Sequence, residues 1–273
     1  MVRLIVVPDA HAVAAAAADR VVAILGGAIE MRGVAHVALS GGSTAGALYR
    51  ALLEPRRRSA VAWSMVEAWW GDDRLVGRSD PHSNVAAADH TILAPGDGLG
   101  IEAKRVHPFP IDEAMAAGLD GPWVAATYAG RMAEQLPADE AGDPIFDLIL
   151  LGMGGDGHIL SVFPHGPALE AGAPLALEVP APTHVEPRVP RVTINPRLVT
   201  AARAVLVMCA DAGKAERVAE VLEGPADRGR LPAQLAGGAN ATWILDVATA
   251  SELRHGTATG RERHAGRAGL DRA

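Results

Sequence analysis

Short apolar runs alternate along this chain with longer segments of helical composition. Several of the runs are apolar at every position, which is typical of parallel strands whose sheet is covered by helices on both faces. We therefore predict strands at Leu4–Val7, Val34–Leu39, Val66–Trp70, Phe146–Leu151, Ala204–Met208 and Thr242–Leu245.

The segments between these runs have helical patterns. Helices are predicted in the alanine-rich run after His11 and, for example, at Ala45–Leu53, Trp123–Gln135 and Lys214–Leu222. The alternation of strand and helix predicts an α/β fold, a doubly wound, mostly parallel, Rossmann-like sheet with helices on both faces. In such sheets ligands bind beyond the carboxyl ends of the strands, so the loops that follow the strands are where chemistry is expected.

Two segments break the alternation. Residues 180–196 contain five prolines and are predicted to be an ordered loop or an edge segment, because proline cannot continue a helix or a central strand. Residues 254–273 are rich in arginine and have no apolar period, which predicts a disordered tail. An RNA-binding tail is the weaker interpretation, since no aromatic residues are interleaved with the basic ones. Residues 1–253 are expected to form a single domain.

The composition is that of a soluble globular protein. Of the 273 residues, 49% are hydrophobic and 21% charged, and the net charge is -7. A negative balance argues against a nucleic-acid partner but leaves room for a small anionic substrate, which a few placed cations can bind. The single cysteine, Cys209, excludes a disulfide framework and a cysteine zinc site, and its apolar neighbours predict a buried bystander.

No membrane segment is expected. The first apolar run is too short for a signal sequence, and Asp19 and Arg20 interrupt the alanine-rich run that follows. By composition, no stretch approaches the roughly 18 apolar residues that a membrane span requires. A cytoplasmic location is the resulting prediction.

The first loop of interest is 40–44, which follows a predicted strand and precedes a helix. Gly41 and Gly42 allow the backbone to approach an anion, Ser43 and Thr44 supply hydroxyl groups, and the helix N-terminus presents free N–H groups. A phosphate cradle and an ordinary N-cap after a tight turn are equally good interpretations of these residues alone.

The second loop holds Asp72, Asp73 and Arg74 directly after Gly71. Carboxylates and a guanidinium at a strand end can orient hydroxyl groups and hold an anion. Taken alone, the residues favour a turn with a surface ion pair.

The third loop, 152–158, gives the sharpest signal. Its glycines match GxGxxG, but Pro164 and Pro167 end any helix too soon for a dinucleotide-binding unit. The better interpretation is that a close-fitting loop presents Asp156 and His158 two residues apart. A neutral imidazole can take a proton from water, while the carboxylate orients it.

Other catalytic patterns are missing from the sequence. It contains no HExxH, no GxSxG and no GxxxxGK[ST], and its ten histidines lack metal-ligand spacing.

Taken together, the three loops resemble those of the 6-phosphogluconolactonases. The resemblance runs from the first strand to about residue 250, in the order and spacing of that family. The matching segments are 40–44, 72–74 with Ser83 and Asn84, 152–158 with the ending 161–164, 190–193 and 213–215.

The wider superfamily also contains glucosamine-6-phosphate deaminases, which share the first loop and the Asp-Gly-His-Ile run ending at Ile159. That pattern has a glutamate where this chain has Phe163, and a tyrosine where it has Arg74. The lactonase pattern fits better, although Asp73, Ala45 and the pair 159–160 depart from it. A sugar-phosphate sensor of the same fold is a third alternative.

The resemblance implies hydrolysis of 6-phosphoglucono-δ-lactone in the oxidative pentose phosphate route, without metal or cofactor. It implies a small-molecule partner only, and a monomer or small homo-oligomer. His158 would be the general base, oriented by Asp156, with Arg74 as a third catalytic group. Substrate contacts would come from Gly41, Gly42, Ser43, Thr44, Lys214, Arg191, Asp72, Gly154 and Gly155, the last two as backbone donors to the oxyanion.

Overall fold

The structure is a computed structural model and describes residues 2–254. Within this range the chain forms ten strands and eight α-helices. The strands are β1 Arg3–Val7, β2 Ala35–Leu39, β3 Val66–Trp70, β4 Asp72–Arg74, β5 Val106–His107, β6 Leu148–Leu151, β7 Ala176–Val179, β8 Arg191–Ile194, β9 Val205–Cys209 and β10 Ala241–Asp246. The helices are α1 Ala10–Arg32, α2 Gly42–Leu52, α3 Pro55–Arg58, α4 Asn84–Asp89, α5 Ile111–Ala117, α6 Gly121–Gln135, α7 Arg197–Ala201 and α8 Ala215–Glu223.

Seven strands form one parallel sheet in the order β1-β10-β9-β6-β2-β3-β5. Every residue of β2, β6 and β9 is buried, so both faces of the sheet are covered, as the uniformly apolar runs predict. All six predicted strands are present. The predicted α/β fold, with a mostly parallel sheet covered by helices, is thereby confirmed.

The order of the strands places a switch point between β2 and β6. Within this sheet, the strand that follows β2 in the chain is β3, on one side, and the strand that follows β6 is β9, on the other side. The loops that leave the two strands therefore diverge and open a crevice at their carboxyl ends. These are the first and third loops singled out in the sequence.

A second sheet of three antiparallel strands, β4-β8-β7, was not predicted. The prediction of a loop or edge segment for residues 180–196 was wrong at β8, which is the central strand of this sheet. Pro190 and Pro196 bracket β8 without entering it, so its N–H groups remain available to both neighbours. The short, charged strand β4 also lacks any apolar pattern.

Helix α1 corrects the expectation about membrane segments. It has the length and hydropathy of a candidate membrane span. Nevertheless it packs against α2 and strands β2, β9 and β10. Its buried side chains include Val13, Val21 and Leu25. Asp19 and Arg20 lower the mean hydropathy of the helix too little to exclude a membrane span by composition, because the rest of the helix is mostly alanine, valine and isoleucine.

Two smaller predictions concern Cys209 and the C-terminal tail. Burial raises the pKa of the Cys209 thiol to about 11, so the thiol is an inert core group, as expected. The predicted disordered tail, 254–273, lies outside the described residues except for Arg254.

Candidate active site

A cavity of about 250 Å³ lies at the carboxyl ends of the central strands. It brings together the three loops that the sequence analysis treated separately. Its lining includes nearly every predicted site residue and three cationic side chains. The lining residues are Ser40, Gly41, Gly42, Ser43, Thr44, Ala45, Asp72, Arg74, Asn84, Gly152, Met153, Gly154, His158, Leu160, Arg191, Met208 and Lys214.

One wall of the cavity is the N-terminus of α2. The helix begins after Gly41, and no side chain caps it, so its first N–H groups are available to a ligand. Gly41 must be glycine, because a Cβ there would lie 1.7 Å from Oδ1 of Asn84. Lys214, whose Nζ is 3.7 Å from Oδ2 of Asp211, lines the same cavity. The combination suits an anion such as phosphate.

The imidazole of His158 is held by Asp156. Its Nδ1 lies 2.5 Å from Oδ1 of Asp156, and the same oxygen accepts the His158 backbone N–H at 3.1 Å. A carboxylate can only accept, so Nδ1 carries the proton in the neutral ring. Nε2 then holds the free lone pair and has no partner among residues 2–254. This is the arrangement of a general base.

The close approach of these side chains requires glycine at position 154. A Cβ on Gly154 would lie 2.1 Å from Nδ1 of His158 and 2.7 Å from Oδ1 of Asp156. The neighbouring Gly155 has open space where its Cβ would be. The two glycines therefore have different roles, although the sequence gives no reason to separate them.

Asp156 has a second imidazole partner. Nε2 of His184 lies 2.8 Å from its Oδ2. Burial by itself would raise the pKa of Asp156, but hydrogen bonds and charge from His158, followed by the bond from His184, outweigh it and hold the pKa well below its usual range. The carboxylate is therefore ionised at neutral pH.

An aromatic ring connects the histidines to a cation. The ring of Phe163 is 4.7 Å from His158 and 5.9 Å from His184, centroid to centroid. The guanidinium carbon of Arg191 lies 5.4 Å from the Phe163 centroid. Burial lowers the pKa of Arg191, and the charge of Arg74 adds to the effect. Nε of Arg191 is buried without a hydrogen-bond partner in the described range.

Arg74 and Arg191 face each other across strands β4 and β8, where they are register partners. Arg74 donates from one terminal nitrogen to Oδ1 of Asn84 at 2.6 Å, and its Nε is also buried without a partner in residues 2–254. Asn84 also packs closely against Gly41, so Arg74 is connected through Asn84 to the α2 side of the cavity. Arg191 packs on Phe163, which in turn packs on His158, so Arg191 lies on the His158 side of the cavity.

Asp72, the first residue of β4, accepts hydrogen bonds from two other segments of the chain. Its Oδ2 accepts the hydroxyl of Ser161 at 2.6 Å, and its Oδ1 and backbone oxygen accept the side-chain amide of Asn84. The alternative of a surface turn at this point is wrong, because Asp72 and Asp73 are buried. Asp73 does not line the cavity; it accepts the backbone N–H groups of Arg74 and Asn84.

The backbone donors predicted for the oxyanion need correction. The N–H of Gly154 already donates to the carbonyl of His158 at 2.9 Å, which closes the tight loop. Gly155 is exposed and does not line the cavity. Because the N–H of Gly154 is committed to the loop and Gly155 does not line the cavity, neither is well placed to bind a developing negative charge.

Sequence reasoning did not assign His184, which lies in the proline-rich segment, 28 residues after Asp156. Nor did it give roles to Asn84 and Ser161, although both lie in segments of the family resemblance. No pattern in the sequence connects these positions, which come together only in the folded chain. Within residues 2–254, no group of three or more His, Cys, Asp or Glu side chains is arranged to hold a metal ion.

The chain is similar to known proteins over most of its length. A family model described as glucosamine-6-phosphate isomerases/6-phosphogluconolactonase matches residues 8–244. The 6-phosphogluconolactonase of Streptomyces coelicolor is 36% identical over 260 residues, covering 92% of this chain and 94% of that protein. That of Mycobacterium tuberculosis is 36% identical over 252 residues, covering 90% and 96%. A solved 6-phosphogluconolactonase from Trypanosoma brucei superposes with a TM-score of 0.80 at 26% identity, covering 93% of this chain and 99% of that one.

Proposed function

This chain belongs to the glucosamine-6-phosphate isomerase/6-phosphogluconolactonase family, and we propose that it hydrolyses 6-phospho-D-glucono-1,5-lactone to 6-phosphogluconate. The observation that carries the proposal is that His158, paired with Asp156, lines the same cavity as an uncapped helix N-terminus and three cationic side chains. The first feature activates water, and the others bind an anionic substrate.

We assign the phosphate to the α2 end of the cavity. There the free N–H groups of the helix and the hydroxyls of Ser43 and Thr44 surround an anion, and Lys214 and Arg74 supply positive charge. The phosphate does not react. Its binding energy holds the lactone ring so that the carbonyl carbon faces His158.

The reaction we derive begins with a water molecule between His158 and the lactone carbonyl carbon, C1. Nε2 of His158 takes a proton as the water oxygen bonds to C1, and the carbonyl becomes an oxyanion. The oxyanion then collapses, the bond from C1 to the ring oxygen breaks, and the imidazolium returns its proton to that oxygen. Asp156 stays ionised throughout and stabilises the imidazolium.

Arg191 is our candidate for stabilising the oxyanion. Its buried Nε has no partner in the described range, and its packing on Phe163 ties it to the His158 side of the cavity. A preorganised donor of this kind contributes about 3–4 kcal/mol to a transition state. Asp72, held by Ser161 and Asn84, is placed to accept a hydroxyl group of the sugar.

The deaminase alternative is not favoured by these contacts. Where the deaminase pattern has a glutamate, Phe163 packs on the His158 ring and leaves no carboxylate there. The position of the deaminase tyrosine is occupied by Arg74, which bonds Asn84. Neither Phe163 nor Arg74 supplies the group that the deaminase pattern has at that position.

The decisive experiment generates the lactone in situ from glucose 6-phosphate with a dehydrogenase, and follows ring opening with and without this protein. We expect accelerated opening that a chelator does not change. Ammonia release from glucosamine 6-phosphate would indicate the deaminase instead. Thermal stabilisation by 6-phosphogluconate without turnover would indicate a sensor.

We further propose that the protein works in the cytoplasm and needs no macromolecular partner. Helix α1 packs within the domain, and the reaction as derived uses only groups of one chain. Sedimentation of the purified protein would test whether it is a monomer or a small homo-oligomer.

A further inference from the structure

The carboxylate of Asp156 is divided between two imidazoles. Oδ1 faces Nδ1 of His158 at 2.5 Å, and Oδ2 faces Nε2 of His184 at 2.8 Å. The reaction derived above uses only the first contact. The second comes from residues 180–190, which we call the proline strap, a segment that enters the site from outside the catalytic loop.

The proline strap is connected to the site at its other end as well. It leads directly into β8, whose first residue is Arg191, and a terminal nitrogen of Arg191 donates to the carbonyl of Pro187 at 3.2 Å. Phe163 lies between the two histidines and beneath Arg191. One aromatic ring and one carboxylate thus connect the catalytic loop to the strap.

A surface ion pair would be the simplest explanation of the contact, because the His184 side chain is 52% exposed and such pairs contribute little. Its partner is different, however. The Asp156 side chain is only 18% exposed, and its other oxygen is already engaged by His158. A donor on Oδ2 fixes the rotation of that carboxylate, and with it the direction in which Oδ1 points.

We propose that His184 is a positioning residue that acts through Asp156, holding the carboxylate so that Nε2 of His158 points at the substrate. The proposal rests on the lactonase function proposed above. It also assigns a role to the proline strap, which carries the donor to the catalytic pair.

The contact has a consequence for pH dependence. Asp156 faces His158 on its own loop, His184 on the strap and the charge of Arg191 on β8. When the His184 donor is removed, the negative charge of Asp156 is no longer shared, so more of it acts on His158. The proton on His158 then becomes harder to remove, and activity should appear only at higher pH.

The test compares His184→Phe with His184→Gln. Phenylalanine keeps a ring against Phe163 but lacks the donor, whereas the amide nitrogen of glutamine can reach the position of Nε2. We expect His184→Phe to lower kcat about tenfold with little change in KM, and to move the acidic limb of the kcat/KM profile to higher pH. His184→Gln should restore most of kcat and leave the limb near that of the wild type.

A matched control is His11→Phe, an exposed histidine near the start of α1. It should match the wild type in both readouts, and all variants should unfold at similar temperatures. A wild-type kcat and pH profile in His184→Phe would overturn the proposal, as would equal losses in the phenylalanine and glutamine variants. If the wild type itself opens no lactone, the proposed function fails instead, and the two failures are thereby distinguished.

Discussion

Replacing Gly154 by alanine is a sharp test of the catalytic geometry. Few real Cβ contacts are closer than 3.4 Å, but the new methyl group would lie 2.1 Å from Nδ1 of His158. The imidazole would have to retreat by the difference, about 1.3 Å. Asp156, at 2.7 Å from the same point, would also have to move.

Displacement of a reacting group by about 1 Å can cost about 100-fold in rate, equivalent to about 2.7 kcal/mol of activation free energy. We therefore expect Gly154→Ala to lower kcat about 100-fold. The phosphate end of the cavity is built from other loops, so KM should change much less.

Gly155→Ala is the matched control. It adds the same methyl group to the next residue, where nothing lies within 4 Å, and neither glycine has a positive φ. Lactone opening and thermal unfolding would be measured for both variants. Equal activity of the two would refute the reasoning, as would a loss in Gly154→Ala that is explained by unfolding.

The remaining predictions concern binding and stability. Lys214→Ala should raise KM for the lactone about tenfold or more while leaving kcat within a few-fold, because it removes a charged contact to the phosphate; normal binding with lost turnover would show that the lysine serves the reaction instead. Burial, helped by the charge of Asp72 and opposed by donated hydrogen bonds, raises the pKa of Asp73 to about 7. The native state then retains a proton that the unfolded chain releases, so the free energy of unfolding should fall as pH rises from about 4 to about 7. Asp73→Asn should flatten that slope in urea titrations; an unchanged slope would exclude Asp73 as its source.

The sequence predicts the parallel sheet well because its signal is local. Uniformly apolar runs such as β6 and β9 can be buried only between two covering layers. The antiparallel sheet escapes prediction for the opposite reason. Strand β4 consists of three charged residues, and β8 is hidden between prolines, so their pairing is evident only once the chain is folded.

The candidate site likewise contains one contact that the sequence predicts and others that it does not. Asp156 and His158 are two residues apart on a glycine loop, and their pairing follows from the sequence. His184 joins them from the proline strap, and Asn84 joins Gly41 to Arg74 across separate loops. Such contacts depend on which loops meet at the switch point between β2 and β6, which spacing along the chain does not encode.

The same limit explains the error about the oxyanion donors. Glycine-rich loops often present free N–H groups, and Gly154 and Gly155 suggest such a pair. In the folded loop the N–H of Gly154 closes a turn onto His158, and Gly155 is exposed. The glycines allow the histidine and the aspartate to approach each other, which is a steric role.

The central claim is that His158 accepts the proton of the attacking water. The most direct measurement is the single-turnover rate of lactone opening by His158→Ala, with binding of 6-phosphogluconate measured in parallel. We predict a loss of about 100-fold to 10,000-fold in rate with binding retained within a few-fold. A variant that binds the product and opens the lactone at nearly the wild-type rate would contradict the account.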